Sequence, residues 1–200
     1  MRHIELNVAK SQSVPGSRWG NFMLYSYTDM SSTIVTTNRL QLKKIGANHK
    51  GDLFRLLSNP IVHKYFPKIL DQDELKVFYE KIQARYKADG YCFWAVIRNS
   101  DNQFLGICGL LSQIIDGQKE VEVGYRISDE FWGYGYGTEA VNGCIGYGRE
   151  KLKLTSIISL IRSVNLPSIR VAEKNGLTLE KETIFQDMPH LLYRITFGKT

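Results

Sequence analysis

The sequence predicts one mixed α/β domain in which a central sheet is flanked by helices, and three observations favour that fold class. From Thr37 onward, strand-like runs alternate with amphipathic helical patterns. The Asp116-Gly117 pair joins two of these runs in the manner of an antiparallel hairpin. A glycine-rich turn then leads into a helical stretch, which is followed by a β-branched run, a short helix and two more strand-like runs. We therefore expect an antiparallel meander followed by helix, strand, helix and hairpin.

The first elements of the domain are a strand and two helices. Residues 39–45 carry apolar side chains at alternate positions, which predicts the strand, and residues 49–58 place leucines on one helical face. Asp71 with Glu74 three residues later is typical of a capping box at a helix start. That second helix is expected to end near residues 89–90, with its Tyr and Phe stripe in the core.

The remaining elements alternate between strands and helices. Strand-like runs occupy residues 91–98, 104–114 and 120–127. Residues 131–151 predict a glycine-rich turn into a helix, and the β-branched run at 156–164 is typical of a buried strand. Pro167 opens a short helix that ends at Asn175-Gly176. Residues 177–185 and 191–197 predict two closing strands.

Composition and cysteine usage exclude several classes of protein. The chain has 200 residues, 43% of them apolar and 23% charged, which is ordinary for a globular protein. No apolar run approaches the ~20 residues of a membrane-spanning helix, and no apolar stretch typical of a secretory signal follows residues 1–10. The three cysteines are widely spaced and have no nearby histidines, so neither a disulfide framework nor a zinc site is expected. We expect a cytoplasmic protein without a membrane partner or a bound metal.

The net charge of +6 and the isoelectric point of about 9.2 favour a polyanionic partner. Nucleic acid and a phosphorylated cofactor are the two kinds of partner that fit such a balance. The basic residues are scattered, and the nearest approach to a cluster is Arg149, Lys151 and Lys153. This scatter disfavours nucleic acid.

Residues 1–36 form an N-terminal extension that differs from the domain at residues 37–200. Residues 11–17 and 31–33 have the composition of turns and loops. Between them, residues 19–27 are too aromatic for a plain linker. The aromatic segment is expected to pack on the domain, on a second subunit or near the substrate, so a homodimer contact is one of its interpretations.

The glycine-rich turn is the most informative stretch. Gly133, Gly135 and Gly137 stand at alternate positions between a strand and a helix, where backbone N–H groups can approach a phosphate or pyrophosphate. No Gly-Lys-Ser/Thr follows, which excludes a P-loop. The spacing is not G-x-G-x-x-G and residues 155–160 supply no acid, which disfavours a dinucleotide site. The alternative is a bend that merely packs tightly.

Residues 132–137, Trp-Gly-Tyr-Gly-Tyr-Gly, resemble the cofactor loop of the GNAT superfamily of N-acetyltransferases, Gln/Arg-x-x-Gly-x-Gly/Ala. Trp132 stands where Gln or Arg is usual, as in the branch that resembles ribosomal-protein N-terminal alanine acetyltransferases. Residues 122–125, 165–177 and 192–195 are similar to that branch too, and the resemblance spans residues 37–196. It implies a mostly antiparallel sheet that is splayed at the cofactor site.

The resemblance also implies a reaction and a cofactor site. The reaction is direct transfer of an acetyl group from acetyl-CoA to a primary amine in a ternary complex, without a metal. The expected cofactor contacts are an edge strand for pantetheine, the glycine turn for the pyrophosphate, and an Asn for the pantetheine amide. These residues are Tyr125, Arg126, Ile127, Trp132, Gly133, Tyr134, Gly135, Tyr136, Gly137, Thr138 and Asn165.

Two residues are candidates for catalysis. Glu122 lies in an apolar strand where partial burial would raise its pKa, and the resemblance implies a general base near this point. Its alternative is a carboxylate on the solvent face of the sheet, sharing that face with Glu120 and flanking no obvious cation. Ser168 is the candidate acid for the departing thiolate, although Asn165 and Ser168 also suit a helix start. The helix between Asn165 and Gly176 has no Tyr for that role.

The acceptor side is less sharply defined. Asp187 and His190 are expected on the loop joining the last two strands, where the resemblance implies an acceptor pocket, and His63 and Tyr65 follow the first helix. An exposed loop histidine is the alternative for His190. The resemblance favours a protein or peptide N-terminal amine over polyamines, aminoglycosides and small amines. A non-catalytic CoA-binding module and an RNA- or ribosome-associated protein are the alternatives from other classes.

Overall fold

The structure is a computed structural model, and it describes residues 33–198. Those residues form an eight-stranded sheet with four α-helices. The strands are β1 (Thr33–Thr36), β2 (Leu40–Lys44), β3 (Phe93–Arg98), β4 (Phe104–Ile115), β5 (Gln118–Ile127), β6 (Ser156–Ile161), β7 (Thr178–Phe185) and β8 (Met188–Thr196). The helices are α1 (Lys50–Leu57), α2 (Gln72–Ala88), α3 (Tyr136–Glu150) and α4 (Leu166–Lys174). The strand order is β1-β2-β3-β4-β5-β6-β8-β7.

The predicted α/β fold is confirmed, with one additional strand and some different strand bounds. β1 lies in the segment assigned to the N-terminal extension and pairs antiparallel with β2. β6 ends at Ile161 rather than at residue 164. β8 begins at Met188, not at residue 191, because Gln186 and Asp187 make a two-residue turn with φ of 50° and 60°. The aromatic segment at residues 19–27, with its suggested dimer contact, lies outside the described residues.

The β4–β5 hairpin decides which side chains of β5 share a face. Asp116 and Gly117 have φ of 49° and 78°, which suits the tight turn that the sequence predicts. The register runs without a shift from Ile115 opposite Gln118 to Gly106 opposite Ile127. Because side chains alternate along a strand, the residues of β5 at 120, 122, 124 and 126 point to one face and those at 121, 123, 125 and 127 to the other.

Helices cover both faces of the sheet. On one face, α3 packs through Ala140, Val141 and Cys144 against strand residues that include Val123 and Trp94. On the other face, the predicted apolar positions of α1 and α2 pack against a second cluster with β3 and β4. The helix α2 begins at the predicted capping box, in which Asp71 accepts from the Glu74 N–H. The Tyr and Phe side chains of α2 pack against the second cluster, so they belong to the core, as predicted.

The sheet opens between β5 and β6, the parallel pair. Glu122 and Ile158 are the registered partners of this pair. Beyond that point β5 continues to Ile127, while β6 pairs on its other side with β8. Beyond Glu122, β5 therefore has no registered partner on the β6 side, which confirms the splayed sheet that the resemblance implies.

Two further observations concern the part of the chain that the structure describes. None of its helices combines the length and the apolar character needed to cross a bilayer. Within residues 33–198, no group of three or more His, Cys, Asp and Glu side chains is arranged to hold a metal ion.

Candidate active site

The unpaired edge of β5 presents main-chain groups to the opening beside β6. The Ser128 N–H donates to the Leu105 carbonyl of β4 at 2.8 Å. Because main-chain groups alternate in direction along a strand, those of Ile127 point away from β4. Consistently, the Ile127 carbonyl accepts from the Trp132 indole Nε1 at 2.8 Å. By the same alternation, the main chain of Tyr125 faces the opening and that of Arg126 faces β4. Arg126 therefore contributes to this region through its side chain rather than its main chain.

The three glycines of the turn are required for two different reasons. Gly133 and Gly135 have φ of 82° and 80°, in the left-handed region where a side chain is strained. Gly137 lies where an added Cβ would come within 3.2 Å of the Tyr125 ring. Gly135 is the N-cap of α3 and has no side chain to cap it, so the first N–H groups of the helix stay available for an anion.

Arg39 and Glu139 brace the turn from outside the motif. Arg39 Nη1 donates to the Tyr134 carbonyl at 3.0 Å, and its Nε donates to Glu139 at 2.6 Å. Glu139 also accepts from Thr37 Oγ1 and from the Arg39 main-chain N–H, both at 2.7 Å. Burial alone would raise the pKa of Glu139, but these hydrogen bonds outweigh it and lower that pKa. Sequence reasoning missed this brace, because Arg39 and Glu139 are separated by about a hundred residues.

We call the space beside this loop the glycine-turn cavity; its volume is about 560 Å³. Loop residues Gly133, Gly135 and Gly137 line it with the β5 edge and one side of α4. Arg170 and Lys174 of α4 add two cations. All but one of the predicted cofactor residues line this cavity: Tyr125, Arg126, Ile127, Trp132, Gly133, Gly135, Tyr136, Gly137, Thr138 and Asn165.

Tyr134 is the exception among the predicted cofactor residues. It is 65% exposed and lies outside the lining of the glycine-turn cavity. Its ring stacks on that of Tyr136, with centroids 6.1 Å apart, and its carbonyl is held by Arg39. The structure therefore places the Tyr134 side chain outside this cavity, while its main chain remains part of the glycine turn.

A second space, which we call the Glu122 cavity, has a volume of about 390 Å³ and lies on the α2 side of the opening. Its walls come from the segment after α1, from α2, from β3 to β6, from the start of α4 and from the β7–β8 hairpin. Six residues line both cavities, so the two spaces meet at the opening between β5 and β6. They are Tyr65, Phe66, Tyr125, Arg126, Asn165 and Ser168.

Glu122 lines the cavity named after it and is held by two hydrogen bonds. Gln113 Nε2 donates to its Oε2 at 2.7 Å, and the Leu160 main-chain N–H also donates to the carboxylate. Burial raises the pKa of Glu122, and the two donors oppose that shift without cancelling it. Glu120 differs: its carboxylate pairs with Arg194 at 2.8 Å. The expectation that Glu120 flanks no cation is therefore wrong, since the paired β8 brings Arg194 to it.

At the junction of the two cavities, Asn165 and Ser168 take the helix-start role. Asn165 Oδ1 accepts from the Ser168 N–H at 3.3 Å, which confirms the capping interpretation. The Ser168 hydroxyl also lies 3.1 Å from the Tyr125 hydroxyl. Burial raises the pKa of Tyr125 to about 12, so the phenol is protonated at neutral pH. Although α4 has no tyrosine, Tyr125 of β5 thus places a phenol hydroxyl beside Ser168.

Of the four predicted acceptor residues, two line the Glu122 cavity. Tyr65 does so, and so does His190, although His190 lies on β8 rather than on the loop, with Nδ1 2.9 Å from Met188 O. Asp187 occupies the turn between two lining residues and lines neither cavity.

His63, the fourth predicted acceptor residue, is buried. It is only 4% exposed, its Nδ1 donates to Lys68 O at 2.7 Å, and burial lowers its pKa. It lies in the packing beneath the segment that follows α1, outside the lining of both cavities.

The sequence and the fold can both be compared with known proteins. The sequence model of the family described as "Acetyltransferase (GNAT) domain" matches residues 39–178. The chain is 31% identical over 164 residues to the uncharacterized protein YkkB of Bacillus subtilis, covering 82% of this chain and 95% of that protein. The glycine turn, the opening and the α4 start all fall within the matched segment.

Two solved structures have a similar fold. A GNAT-family acetyltransferase from Bacillus anthracis superposes with a TM-score of 0.70 at 24% identity, covering 81% of this chain and 97% of that one. RimL, a ribosomal L7/L12 α-N-protein acetyltransferase in complex with coenzyme A, gives 0.67 at 16% identity, covering 82% and 97%. The family match over most of the chain and the relative at 31% identity together show that the chain belongs to the GNAT acetyltransferase family and is an N-acetyltransferase.

Proposed function

We propose that the glycine-turn cavity binds acetyl-CoA and that the acetyl group passes directly to a primary amine in the Glu122 cavity. The observation that carries this proposal is the meeting of the two cavities at the opening between β5 and β6. A donor thioester and an acceptor amine entering from opposite sides would meet there. Direct attack benefits from this arrangement, because holding both reactants in one geometry removes much of the entropic barrier.

Three features support acetyl-CoA as the donor. The N–H groups at the start of α3 and the glycine turn suit a pyrophosphate, and Arg170 and Lys174 add positive charge beside them. The main chain of Tyr125 faces the opening, where a pantetheine chain can pair with it as an added strand does. RimL, which shares the fold, has been solved in complex with coenzyme A.

Glu122 is the proposed general base. An amine must lose its proton to attack a thioester, and a carboxylate whose pKa is raised by burial is a stronger proton acceptor than an exposed one. Gln113 and the Leu160 N–H fix its orientation. The proton moves from the acceptor nitrogen to Glu122, directly or through a water molecule.

Ser168 and Tyr125 are proposed to stabilise the departing thiolate. Their hydroxyls lie 3.1 Å apart and both residues line the junction of the two cavities. If Tyr125 donates to Ser168, the Ser168 hydroxyl is free to donate to the sulfur as negative charge develops on it. A donor aimed at developing charge contributes most in a site from which water is excluded.

The acceptor class that the resemblance favours is a protein or peptide N-terminal amine, and RimL supports it as a protein N-acetyltransferase with this fold. The test is a panel of acceptors with acetyl-CoA, read by release of free thiol, combined with calorimetric titration of acetyl-CoA. We expect binding of acetyl-CoA and turnover with at least one class of primary amine. Failure to bind acetyl-CoA would overturn the proposal, and turnover with polyamines alone would overturn the N-terminal acceptor.

A further inference from the structure

Arg126 carries a guanidinium group whose hydrogen-bonding capacity is largely unused. Its Nε and Nη1 are enclosed, and among residues 33–198 neither has a hydrogen-bond partner. The group lies over the ring of Phe66, 4.0 Å from its centroid, with Phe78 at 5.7 Å and Phe93 at 6.0 Å. Burial lowers the pKa of Arg126 to about 10, which leaves it charged at neutral pH.

Such an arrangement is costly unless a ligand completes it. Aromatic faces stabilise a cation, but they do not accept the in-plane N–H bonds of a guanidinium. A charged donor that stays buried without an acceptor destabilises the fold more than the aromatic contacts stabilise it. The planar fork of Arg matches the paired oxygens of a carboxylate or a phosphate. The unused donors of Arg126 therefore point to an oxyanion as the missing partner.

This oxyanion belongs to the acceptor side and not to the coenzyme. Phe78 and Phe93, two of the rings around the guanidinium, line the Glu122 cavity alone. The side chain of Arg126 leaves β5 on the α2 face, whereas Tyr125 and the glycine turn lie on the α3 face. Arg126 and Phe66 line both cavities, but Phe78 and Phe93 hold the guanidinium on the side of the Glu122 cavity.

The other charged residues of the Glu122 cavity also favour an anionic ligand. Its lining contains four cationic side chains, from α2, β5 and the end of β6, but only one carboxylate, that of Glu122. Two of the cations have partners: Arg85 donates to Ser112 O at 2.9 Å and Arg162 approaches Met188 Sδ at 3.4 Å. A cavity with this balance repels polycations such as polyamines and attracts molecules that carry an anion.

The two opposite charges on β5 are spaced for one ligand. Glu122 and Arg126 lie four residues apart on the same face, about 13 Å between Cα atoms at the usual strand rise. Gly124 stands between them, and the Leu111 side chain and the Phe93 ring pack over it, 3.1 and 3.4 Å from where a Cβ would stand. A molecule with an amine at one end and an anion at the other would reach both groups across this apolar surface.

We propose that the acceptor is a primary amine that also carries an oxyanion, a carboxylate or a phosphate, and that Arg126 binds that oxyanion. The inference rests on the proposed function, because it assumes that the Glu122 cavity receives the acceptor. It narrows the acceptor to amino acids, acidic peptides and aminoalkyl phosphates.

The test uses matched pairs of acceptors with acetyl-CoA. Amino carboxylates are each compared with their own amide, and aminoalkyl phosphates with their amino alcohol, so that the two sources of oxyanion are measured separately. We expect kcat/KM to be at least about tenfold higher for the charged member of the preferred pair, as one charge-assisted bidentate contact allows. Arg126→Gln removes that preference, and Arg126→Lys keeps part of it, because lysine supplies charge without the fork.

Lys76→Gln is the matched control, since it removes an exposed cation of α2 that lines neither cavity. It is expected to change the ratio within each pair by less than about twofold. A second measurement uses the unaltered protein: amine-free carboxylates should inhibit competitively with the acceptor, and their amides should not.

The outcomes separate this inference from the proposed function. Acetyl transfer that is equally fast with both members of every pair would overturn the inference and leave the proposed function intact. Bound acetyl-CoA with no transfer to any oxyanion-bearing amine would also overturn the inference. Failure of acetyl-CoA to bind would instead overturn the proposed function.

Discussion

The glycine-turn cavity and the Glu122 cavity are built in opposite ways. The proposed anion-binding part of the first comes from one uninterrupted segment, residues 132–138, which offers main-chain N–H groups and a helix start. The second is formed by side chains from distant parts of the chain, such as Gln113, Glu122 and Phe66. One is a local backbone structure, and the other exists only after the sheet and α2 have packed.

This difference explains how one fold can keep its donor and vary its acceptor. Main-chain groups are unaffected by most substitutions, so a loop that binds through them tolerates changes around it as long as its glycines remain. A pocket of side chains changes its size and charge with each substitution. Substitutions can therefore test the two cavities separately, from the largest expected effect to the smallest.

The largest effect is expected for Glu122→Gln. Loss of a general base lowers turnover by about a hundredfold to ten-thousandfold, while affinity for acetyl-CoA should be unchanged because Glu122 lies outside the glycine-turn cavity. In the unaltered protein, kcat/KM should rise as pH passes through the raised pKa of Glu122, and the variant should lose that dependence. Steady-state kinetics across pH and calorimetric titration measure both. Turnover equal to that of the unaltered protein would remove Glu122 from the mechanism.

The same variant separates catalysis from stability. Because burial raises the pKa of Glu122, the folded protein holds this proton more tightly than the unfolded chain does, and stability falls as pH rises through the folded value. Glu122→Gln removes that loss of stability. Above neutral pH, the variant should therefore melt at a temperature no lower than that of the unaltered protein. Glu120→Gln is the control on the same face of β5: it should keep turnover and lose some stability with the Arg194 pair.

The next effect concerns the junction of the two cavities. Tyr125→Phe and Ser168→Ala should each lower kcat about tenfold to a hundredfold, because each breaks the same chain of hydroxyls. The double variant should be hardly slower than either single one, since the two groups act together. Single-turnover measurements of all three variants test this. Effects that multiply in the double variant would show that the hydroxyls act independently.

A smaller effect is expected in the glycine turn. Gly135→Ala places a side chain at φ of 80°, which costs about 1 to 2 kcal/mol and should weaken acetyl-CoA binding about tenfold. Gly146→Ala is the matched control, because it lies within α3 and an added Cβ there meets no atom within 4 Å. It should leave affinity unchanged and raise stability by about 0.5 to 1 kcal/mol. Equal affinities for acetyl-CoA in both variants would contradict an anion site at this turn.

The smallest effect is expected for the brace outside the turn. Arg39→Gln should weaken acetyl-CoA binding only a few fold, since the ion pair with Glu139 is partly exposed and worth about 1 kcal/mol or less. The pKa of Glu139 is lowered, so its stabilising contribution is present above the unfolded value near 4.3 and is lost as pH falls through the folded one. Acid unfolding of Arg39→Gln should therefore begin at higher pH. Identical acid transitions would show that the brace contributes nothing.

Sequence reasoning was most accurate where a signal is local. The Asp71 capping box, the Asp116-Gly117 turn and the stop of α4 at Gly176 each depend on a few adjacent residues, and each was predicted. It missed contacts that depend on a distant partner. Arg194 reaches Glu120 from β8, and Arg39, just before β2, reaches Glu139 of α3.

The sequence by itself determined the fold class, the order of the elements and the position of the glycine turn, because alternation, helical spacing and turn chemistry are properties of short segments. Only the tertiary structure decided which side chains meet: Tyr125 with Ser168, Gln113 with Glu122, and Arg126 with three aromatic rings. Gln113 meets Glu122 because β4 and β5 form one hairpin, whereas the other two contacts join different elements around the opening between β5 and β6. A contact between distant residues follows from the packing of whole elements, and no short segment encodes it.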